Sequence, residues 1–150
     1  MNQDADVMRF FPYLMTSEQT EASFGSLKKH YEDHGYTFFA VDLLEENSFI
    51  GFIGLVNTKF ESHFTPCVEI GWRLMKDYWG RGLATEGARA CIDYAFDVLG
   101  LDSVYSFTPI SNLPSERVMQ KIGMTRVGTF SHPMIPDHPL EEHLLYLIGR

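Results

Sequence analysis

A pair of glycines, Gly80 and Gly82, separates an apolar segment from a long amphipathic one. Upstream, Val68–Leu74 has the apolar density of a strand, and downstream apolar residues recur at helical spacing: Ala84, Ala88, Cys91, Ile92, Ala95 and Leu99. The turn therefore opens a helix, whose first N–H groups lack partners and carry the positive end of the helix dipole. Such a turn can bind phosphate or pyrophosphate, and its glycines allow close approach of the backbone. A tight strand-to-helix connection without a ligand is the alternative reading.

The amino-acid sequence of this turn argues against two common phosphate-binding motifs. The chain has no Gly-x-x-x-x-Gly-Lys-Ser/Thr sequence, which disfavours a nucleoside triphosphate loop. Thr85 stands where the dinucleotide-binding motif requires its third glycine. The turn is therefore typical of a phosphate binder of another kind.

Three motifs in fixed order resemble the GNAT acetyltransferases, and most closely the branch that contains the ribosomal-protein N-terminal acetyltransferases. The first motif joins Glu69–Trp72 to Tyr78–Glu86, the second is Asn112–Val118, and the third is Lys121–Met124. The resemblance runs from about Tyr36 to the C-terminus. One position departs from the family, because Trp79 occupies a site that usually holds Gln or Arg; we expect it to anchor the turn by packing.

The resemblance implies an α/β fold in which a mixed, mainly antiparallel sheet is flanked by helices. Its central strand pair, the motif strand and the strand after the long helix, is expected to splay apart and hold acetyl-CoA. The pantetheine arm would pair with the backbone of Trp72 and Leu74. The pyrophosphate would meet the backbone amides of the turn, which are those of Gly80, Arg81, Gly82, Leu83, Ala84 and Thr85.

The resemblance also implies candidate catalytic residues. Glu69, on the motif strand just before the gap, is the expected general base, although a strand glutamate is more often a solvated or paired charge. Asn112 is expected to touch the cofactor arm, with helix capping as the alternative. Ser115 is expected to return a proton to the leaving thiolate, a role that Tyr105 or Tyr146 could take instead.

Composition limits the class of protein. A chain of 150 residues that is 45% hydrophobic predicts one compact domain over residues 1–150, which the resemblance identifies as acetyltransferase-like. The net charge of −8 argues against a nucleic-acid partner and suits a cationic amine acceptor, with simple solubility as the alternative. No secretory signal or membrane span is visible, since the longest apolar run is Phe49–Val56. We therefore expect a cytoplasmic protein.

The cysteines and histidines indicate neither a disulfide framework nor a metal site. Cys67 and Cys91 are two isolated cysteines, and neither has an evident adjacent base for an acyl-enzyme route. A loop near the C-terminus contains His132, His138 and His143, but no pair has an established ligand spacing. No metal is expected, and a loop histidine could instead hydrogen-bond the acceptor or serve as an alternative base.

The remaining patterns predict alternating elements. A short helical turn over Asp4–Phe11 precedes a helix that Thr16 and Gln19 cap and Gly35 ends. The strands Tyr36–Leu44 and Phe49–Thr58 are expected to form a hairpin. After the long helix, further strands are expected over Ser103–Thr108, Thr125–Thr129 and Leu144–Ile148, and a short helix over Leu113–Ile122. The first strand usual in the family is missing from this pattern. The Tyr36–Leu44 strand is therefore expected to be an exposed edge, which favours a homodimer or reduced stability.

Three functions follow from these patterns. The first is an N-acetyltransferase that uses acetyl-CoA and acts by direct attack of a primary amine, either a protein N-terminus or a small amine, in a ternary complex. The second is an acetyl-CoA-binding module that has lost catalysis. The third is an anion-binding domain without specificity for CoA.

Overall fold

The computed structural model describes residues 1–150, and its elements follow the predicted succession. They are α1 (Ser17–His34), β1 (Phe38–Leu43), β2 (Ser48–Thr58), β3 (Cys67–Leu74), a short 3-10 helix (Lys76–Tyr78), α2 (Leu83–Asp97), β4 (Ser103–Pro109), α3 (Leu113–Lys121), β5 (Thr125–Ser131) and β6 (Glu142–Gly149).

The N-terminal segment differs from the prediction, since Asp4–Phe11 forms a series of turns instead of a helix. The Asp4 carboxylate accepts hydrogen bonds from the backbone N–H groups of Asp6 and Val7. One helix-type bond, from Met8 N to Asp4 O, is present at 2.9 Å. The carboxylate bonds are those of a helix N-cap, but the one helix-type bond is not followed by others, so the segment remains a series of turns.

All six strands form one sheet in the order β1-β2-β3-β4-β6-β5. Neighbouring strands are antiparallel except β3 and β4. This is the predicted mixed, mainly antiparallel sheet, and β1 is one of its edge strands, as predicted. The turn between β1 and β2 places Asn47 at a φ of 49°, in the left-handed region that asparagine tolerates.

The parallel pair β3 and β4 separates soon after it forms. Its ladder contains a single registered pair, Glu69 with Tyr105, and one side-chain bond follows, from Ser106 Oγ to Ile70 O at 2.9 Å. Beyond these residues the strands diverge without further pairing. The predicted splayed strand pair is therefore present, and it leaves the edge of β3 open from Gly71 onward.

Helix α2 supplies the core on one face of the sheet. Its buried residues Ala88, Ile92 and Ala95 pack with Ile70 of β3 and Val104 of β4. Cys91 is half-buried between the two apolar clusters on this face, consistent with a small core residue. This face fixes the side of β3 on which Ile70, Trp72 and Leu74 lie, so Glu69, Gly71 and Arg73 face the other side.

Helix α1 lies on that other side and has no buried residue. The predicted capping box of Thr16 and Gln19 is confirmed, and Gly35 ends the helix at a φ of 79°. His30 ties the helix to the sheet: its Nε2 accepts from Asn57 N at 3.0 Å and its Nδ1 donates to Tyr36 O at 2.7 Å. The helix is thus held at its C-terminal end, while its apolar stripe is left to line a cavity. None of the helices combines the length and apolarity that a membrane crossing requires.

Candidate functional site

Two cavities meet where β3 and β4 separate. The larger has a volume of about 780 Å³ and lies between the sheet, α1 and the N-terminal segment. The smaller, of about 420 Å³, lies over the glycine turn and the start of α3. Both are lined by a shared set of residues: Phe10, Trp72, Arg73, Asn112 and Ser115. A ligand in one cavity can therefore contact a ligand in the other at this junction.

The glycine turn forms one wall of the smaller cavity. Gly80 and Gly82 have φ values of 72° and 83°, a region that strongly favours glycine. Gly82 is the N-cap of α2 and provides no side-chain cap, so the N–H groups of Leu83, Ala84 and Thr85 have no partner within the helix. Gly80, Gly82, Leu83, Ala84 and Thr85 all line the cavity, whereas Arg81, between the two glycines, does not. The turn has the free amides that a phosphate requires.

Arg81 differs from its neighbours in the turn. Its side chain lies 3.7 Å from Glu46 Oε1 and over the ring of Tyr78, and it does not line the smaller cavity. The adjacent Trp79 donates from Nε1 to the carbonyl oxygen of Leu74 at 2.8 Å. Trp79 therefore anchors the turn to the end of β3 by a hydrogen bond, whereas sequence reasoning predicts packing alone.

The backbone of β3 faces the gap at alternate residues. Ile70 O accepts from Ser106 on β4, and Leu74 O accepts from the Trp79 indole. Because an antiparallel strand directs its backbone groups to opposite sides in alternation, those of Trp72 face the gap as well. Trp72 and Leu74 both line the smaller cavity, but the Leu74 carbonyl already accepts the Trp79 hydrogen bond.

The smaller cavity is strongly basic. Its charged lining residues are all cations, namely Arg9, Arg73, Arg117 and Lys121, and no carboxylate lines it. This contrasts with the net charge of −8 for the whole chain. Arg117 and Lys121 are exposed and four residues apart on α3, which places them on one helix face. Sequence reasoning assigned these two residues no role, although Arg117 lies within the second motif and Lys121 begins the third.

Glu69 lines the larger cavity beside the point where the strands separate. Its Oε2 accepts a hydrogen bond from Thr58 Oγ1 at 2.8 Å, and no cation pairs with it. Burial raises the pKa of Glu69 to about 7, and the Thr58 bond opposes that rise. A carboxyl group with this pKa can accept a proton near neutral pH.

Asn112 and Ser115 lie at the junction of the cavities. Asn112 caps α3, because its Oδ1 accepts from Ser115 N at 3.3 Å, and its Nδ2 donates to Thr108 Oγ1 at 2.8 Å. Asn112 therefore caps α3, and it also lines both cavities. Of the alternative proton donors, Tyr105 and Tyr146 line neither cavity, and the Tyr146 hydroxyl donates to Glu116 Oε1 at 2.7 Å.

His132 and His143 form a polar wall of the larger cavity, with ring centroids 4.9 Å apart. Burial lowers the pKa of His143 to about 4 and also lowers the pKa of His132, so both rings are neutral near pH 7. His143 Nδ1 donates to Glu141 O, which leaves its Nε2 free to accept. No cluster of three or more metal-ligating side chains occurs in the structure.

The cysteines lie away from this site. Neither Cys67 nor Cys91 lines either cavity. Burial raises the pKa of the Cys67 thiol to about 11, with a further contribution from Glu69, and burial also raises that of Cys91. Both thiols are protonated at neutral pH, and a thiol in that state is a poor nucleophile.

The sequence of this chain is similar to those of known acetyltransferases. The family model described as "Acetyltransferase (GNAT) domain" matches residues 1–125. The chain is 35% identical over 127 residues to the uncharacterized N-acetyltransferase YnaD of Bacillus subtilis; the match covers 85% of this chain and 71% of YnaD.

Solved structures share the whole fold. A GNAT-family acetyltransferase from Bacillus anthracis superimposes with a TM-score of 0.78 at 30% identity, covering 99% of this chain and 84% of that one. The spermidine N-acetyltransferase of Vibrio cholerae, solved in complex with CoA and spermine, gives a TM-score of 0.75 at 18% identity over 99% of this chain and 85% of that one. At that identity the second likeness concerns the fold alone.

Proposed function

The chain belongs to the GNAT acetyltransferase family and is an acetyl-CoA-dependent acyltransferase, and we propose that it transfers the acetyl group to a primary amine where its two cavities meet. The observation that carries the proposal is Glu69, a carboxyl group with a pKa of about 7 beside the open edge of β3. A basic cavity for the donor adjoins the cavity that contains this group. Donor and acceptor can therefore be held together with a proton acceptor beside them.

The smaller cavity is the proposed site of acetyl-CoA. Its free amides at Leu83, Ala84 and Thr85 suit the pyrophosphate, and Arg117 and Lys121 add positive charge for the remaining phosphate. The backbone of Trp72 and the N–H of Leu74 would pair with the pantetheine arm. The cavity's lack of carboxylates supports a polyanionic ligand.

The reaction is a single displacement. The neutral amine nitrogen attacks the thioester carbonyl carbon, a C–N bond forms, and the C–S bond breaks. Glu69 takes the proton that the amine loses, directly or through water. The Ser115 hydroxyl gives its proton to the CoA thiolate and regains one from water, while Glu69 releases its proton to solvent, so both groups are restored. Holding both substrates at the junction of Phe10, Trp72 and Asn112 supplies the proximity that the step requires.

The acceptor is proposed only as a class at this stage. A small amine and a peptide N-terminus are the two candidates. The larger cavity, at about 780 Å³, is large enough for either.

The test is release of CoA thiol from acetyl-CoA in the presence of an amine panel. The panel contains spermidine, ω-amino acids and tripeptides with free N-termini, and mass spectrometry identifies the acetylated product. Amine-dependent release with an N-acetyl product is expected. Binding of acetyl-CoA without release for any amine would reject the enzymatic proposal and favour the module that binds without catalysis.

A further inference from the structure

The guanidinium of Arg73 lies on the acceptor side of the junction. Its Nη1 donates to Asn2 Oδ1 at 2.9 Å, and its central carbon lies 3.8 Å from the centroid of the Phe11 ring. Asn2 and Phe11 line the larger cavity and not the smaller one. The charged end of Arg73 is therefore among groups that an acceptor would contact.

No protein carboxylate neutralises this charge. The ion pairs of the molecule are Lys29 with Asp33, Lys76 with Asp6, and Arg81 with Glu46. Arg73 Nε is buried without a hydrogen-bond partner. Burial lowers the pKa of Arg73 to about 10, which leaves it charged at neutral pH. An arginine that is half-buried, charged and without a counter-ion, with its Nε left unbonded, is unfavourable unless a ligand supplies the missing anion.

The cofactor is not the best source of that anion. The smaller cavity already has Arg9, Arg117 and Lys121 for phosphates. Arg9 lies over the Trp79 ring at 5.5 Å, beside the glycine turn. Arg73, by contrast, is stacked on Phe11, so its remaining donors are at the edge of the guanidinium, the geometry that a carboxylate matches with two parallel hydrogen bonds.

Resting on the proposed function, we propose that Arg73 binds a carboxylate of the acceptor, which makes the substrate class an amine that also carries a carboxylate. Glu69 and Arg73 are four residues apart on the same face of β3, so their Cα atoms are about 13 Å apart. This spacing favours an elongated acceptor, such as an ω-amino acid or a short peptide. A polyamine fits less well because Arg73 would repel its second ammonium group.

The test compares matched acceptors that differ only in the carboxylate: 6-aminohexanoate with 6-aminohexanamide, and triglycine with triglycinamide. The carboxylate forms are expected to be at least about tenfold better in kcat/KM, the loss that accompanies a missing charge-assisted hydrogen bond. Arg73→Gln should remove this preference through KM while acetyl-CoA binding is retained. Arg126→Gln, which removes an exposed arginine outside both cavities, should keep the preference.

Several results would overturn the inference. Equal use of acid and amide by the unmodified protein would do so, and so would an Arg73→Gln variant that loses acetyl-CoA affinity. If Arg73→Gln does not fold, the acid-to-amide ratio of the unmodified protein still decides. If no amine is acetylated, the proposed function fails; calorimetric binding of 6-aminohexanoate and its amide to the CoA complex then judges Arg73 separately, and equal affinities would reject its role.

Discussion

At the scale of single residues, the proposed reaction depends on the protonation of Glu69. Burial raises its pKa to about 7, so the carboxylate fraction increases as pH rises from 6 to 8. The amine acceptor also becomes more reactive as pH rises, but its own pKa is usually higher. Two inflections in the pH–rate profile are therefore expected, and only the lower one belongs to Glu69.

Glu69→Gln is expected to lower kcat by about a hundredfold or more and to remove the lower inflection. The affinity for acetyl-CoA should be unchanged, because Glu69 does not line the smaller cavity. Initial rates of thiol release from pH 5.5 to 9.5 measure this. An unchanged inflection in the variant would remove Glu69 from the mechanism.

Thr58→Val is expected to move the lower inflection to higher pH. Thr58 Oγ1 donates to the Glu69 carboxylate, a bond that favours the charged form, so its loss raises the pKa of Glu69 further. The expected displacement is up to about one pH unit, equivalent to about 1.4 kcal/mol. Thr129→Val, at an exposed position on β5, is the control and should leave the profile in place. A displacement toward lower pH would contradict the assignment.

Ser115→Ala is expected to lower kcat without weakening acetyl-CoA binding, if its hydroxyl protonates the thiolate. The backbone N–H of residue 115 still bonds to Asn112 in the variant, so the cap of α3 should be retained. Steady-state kinetics together with thermal unfolding separate catalysis from stability. A variant with full kcat would indicate that water supplies this proton.

At the scale of elements, close packing at the β1–β2 hairpin positions the acceptor face. Gly54 pairs with Gly71 across β2 and β3. A Cβ at Gly54 would clash with the carbonyl oxygen of Thr37 and lie 2.7 Å from Phe38 Cα. The hairpin therefore tolerates no side chain there, and Phe38 is held against the cavity.

Gly54→Ala is expected to destabilise the protein by about 2 kcal/mol or more, because backbone atoms must move to relieve the clash. Gly25→Ala is the matched control: Gly25 lies in α1, and a Cβ there meets nothing within 4 Å. That change should stabilise the protein by up to about 1 kcal/mol through helix propensity. Denaturant unfolding gives the free energy of unfolding of both variants. A Gly54→Ala variant as stable as the unmodified protein would contradict this close packing.

Local patterns predicted the elements better than they predicted the site. The Thr16–Gln19 capping box and the Gly82 turn depend on residues that are close in sequence, so their physics can be read from a short window. The roles of Glu69 and Ser115 stay predictions, because they rest on the family resemblance and not on local physics. Arg73 could not be recognised, because its environment depends on Asn2 and Phe11, which only the folded chain brings beside it.

At the scale of the whole molecule, a basic cavity is set in an acidic protein. The cations assigned to the phosphates, Arg9, Arg117 and Lys121, come from the N-terminal segment and α3, so no single segment is basic enough to reveal the cavity. The cavity is partly exposed to solvent, so its attraction for a polyanion should weaken as the salt concentration rises.

Arg117→Gln and Lys121→Gln are each expected to raise the Kd for acetyl-CoA by up to about fivefold, since exposed charge pairs contribute about 1 kcal/mol or less. The unmodified protein should gain roughly 2.7 kcal/mol of stability at a hundredfold excess of acetyl-CoA over Kd. The thermal midpoint with and without acetyl-CoA measures both effects. Arg126→Gln is the control, and an equal loss in that variant would reject a local role for the α3 cations.

The most direct test of the central claim is a two-substrate initial-rate measurement of thiol release, with acetyl-CoA and an accepted amine both varied. Direct transfer at the junction predicts double-reciprocal lines that intersect, because both substrates must be bound before the CoA thiol leaves. Parallel lines would mean that an acetyl-enzyme forms first. That result would contradict the account, in which both cysteines are protonated and lie outside the two cavities.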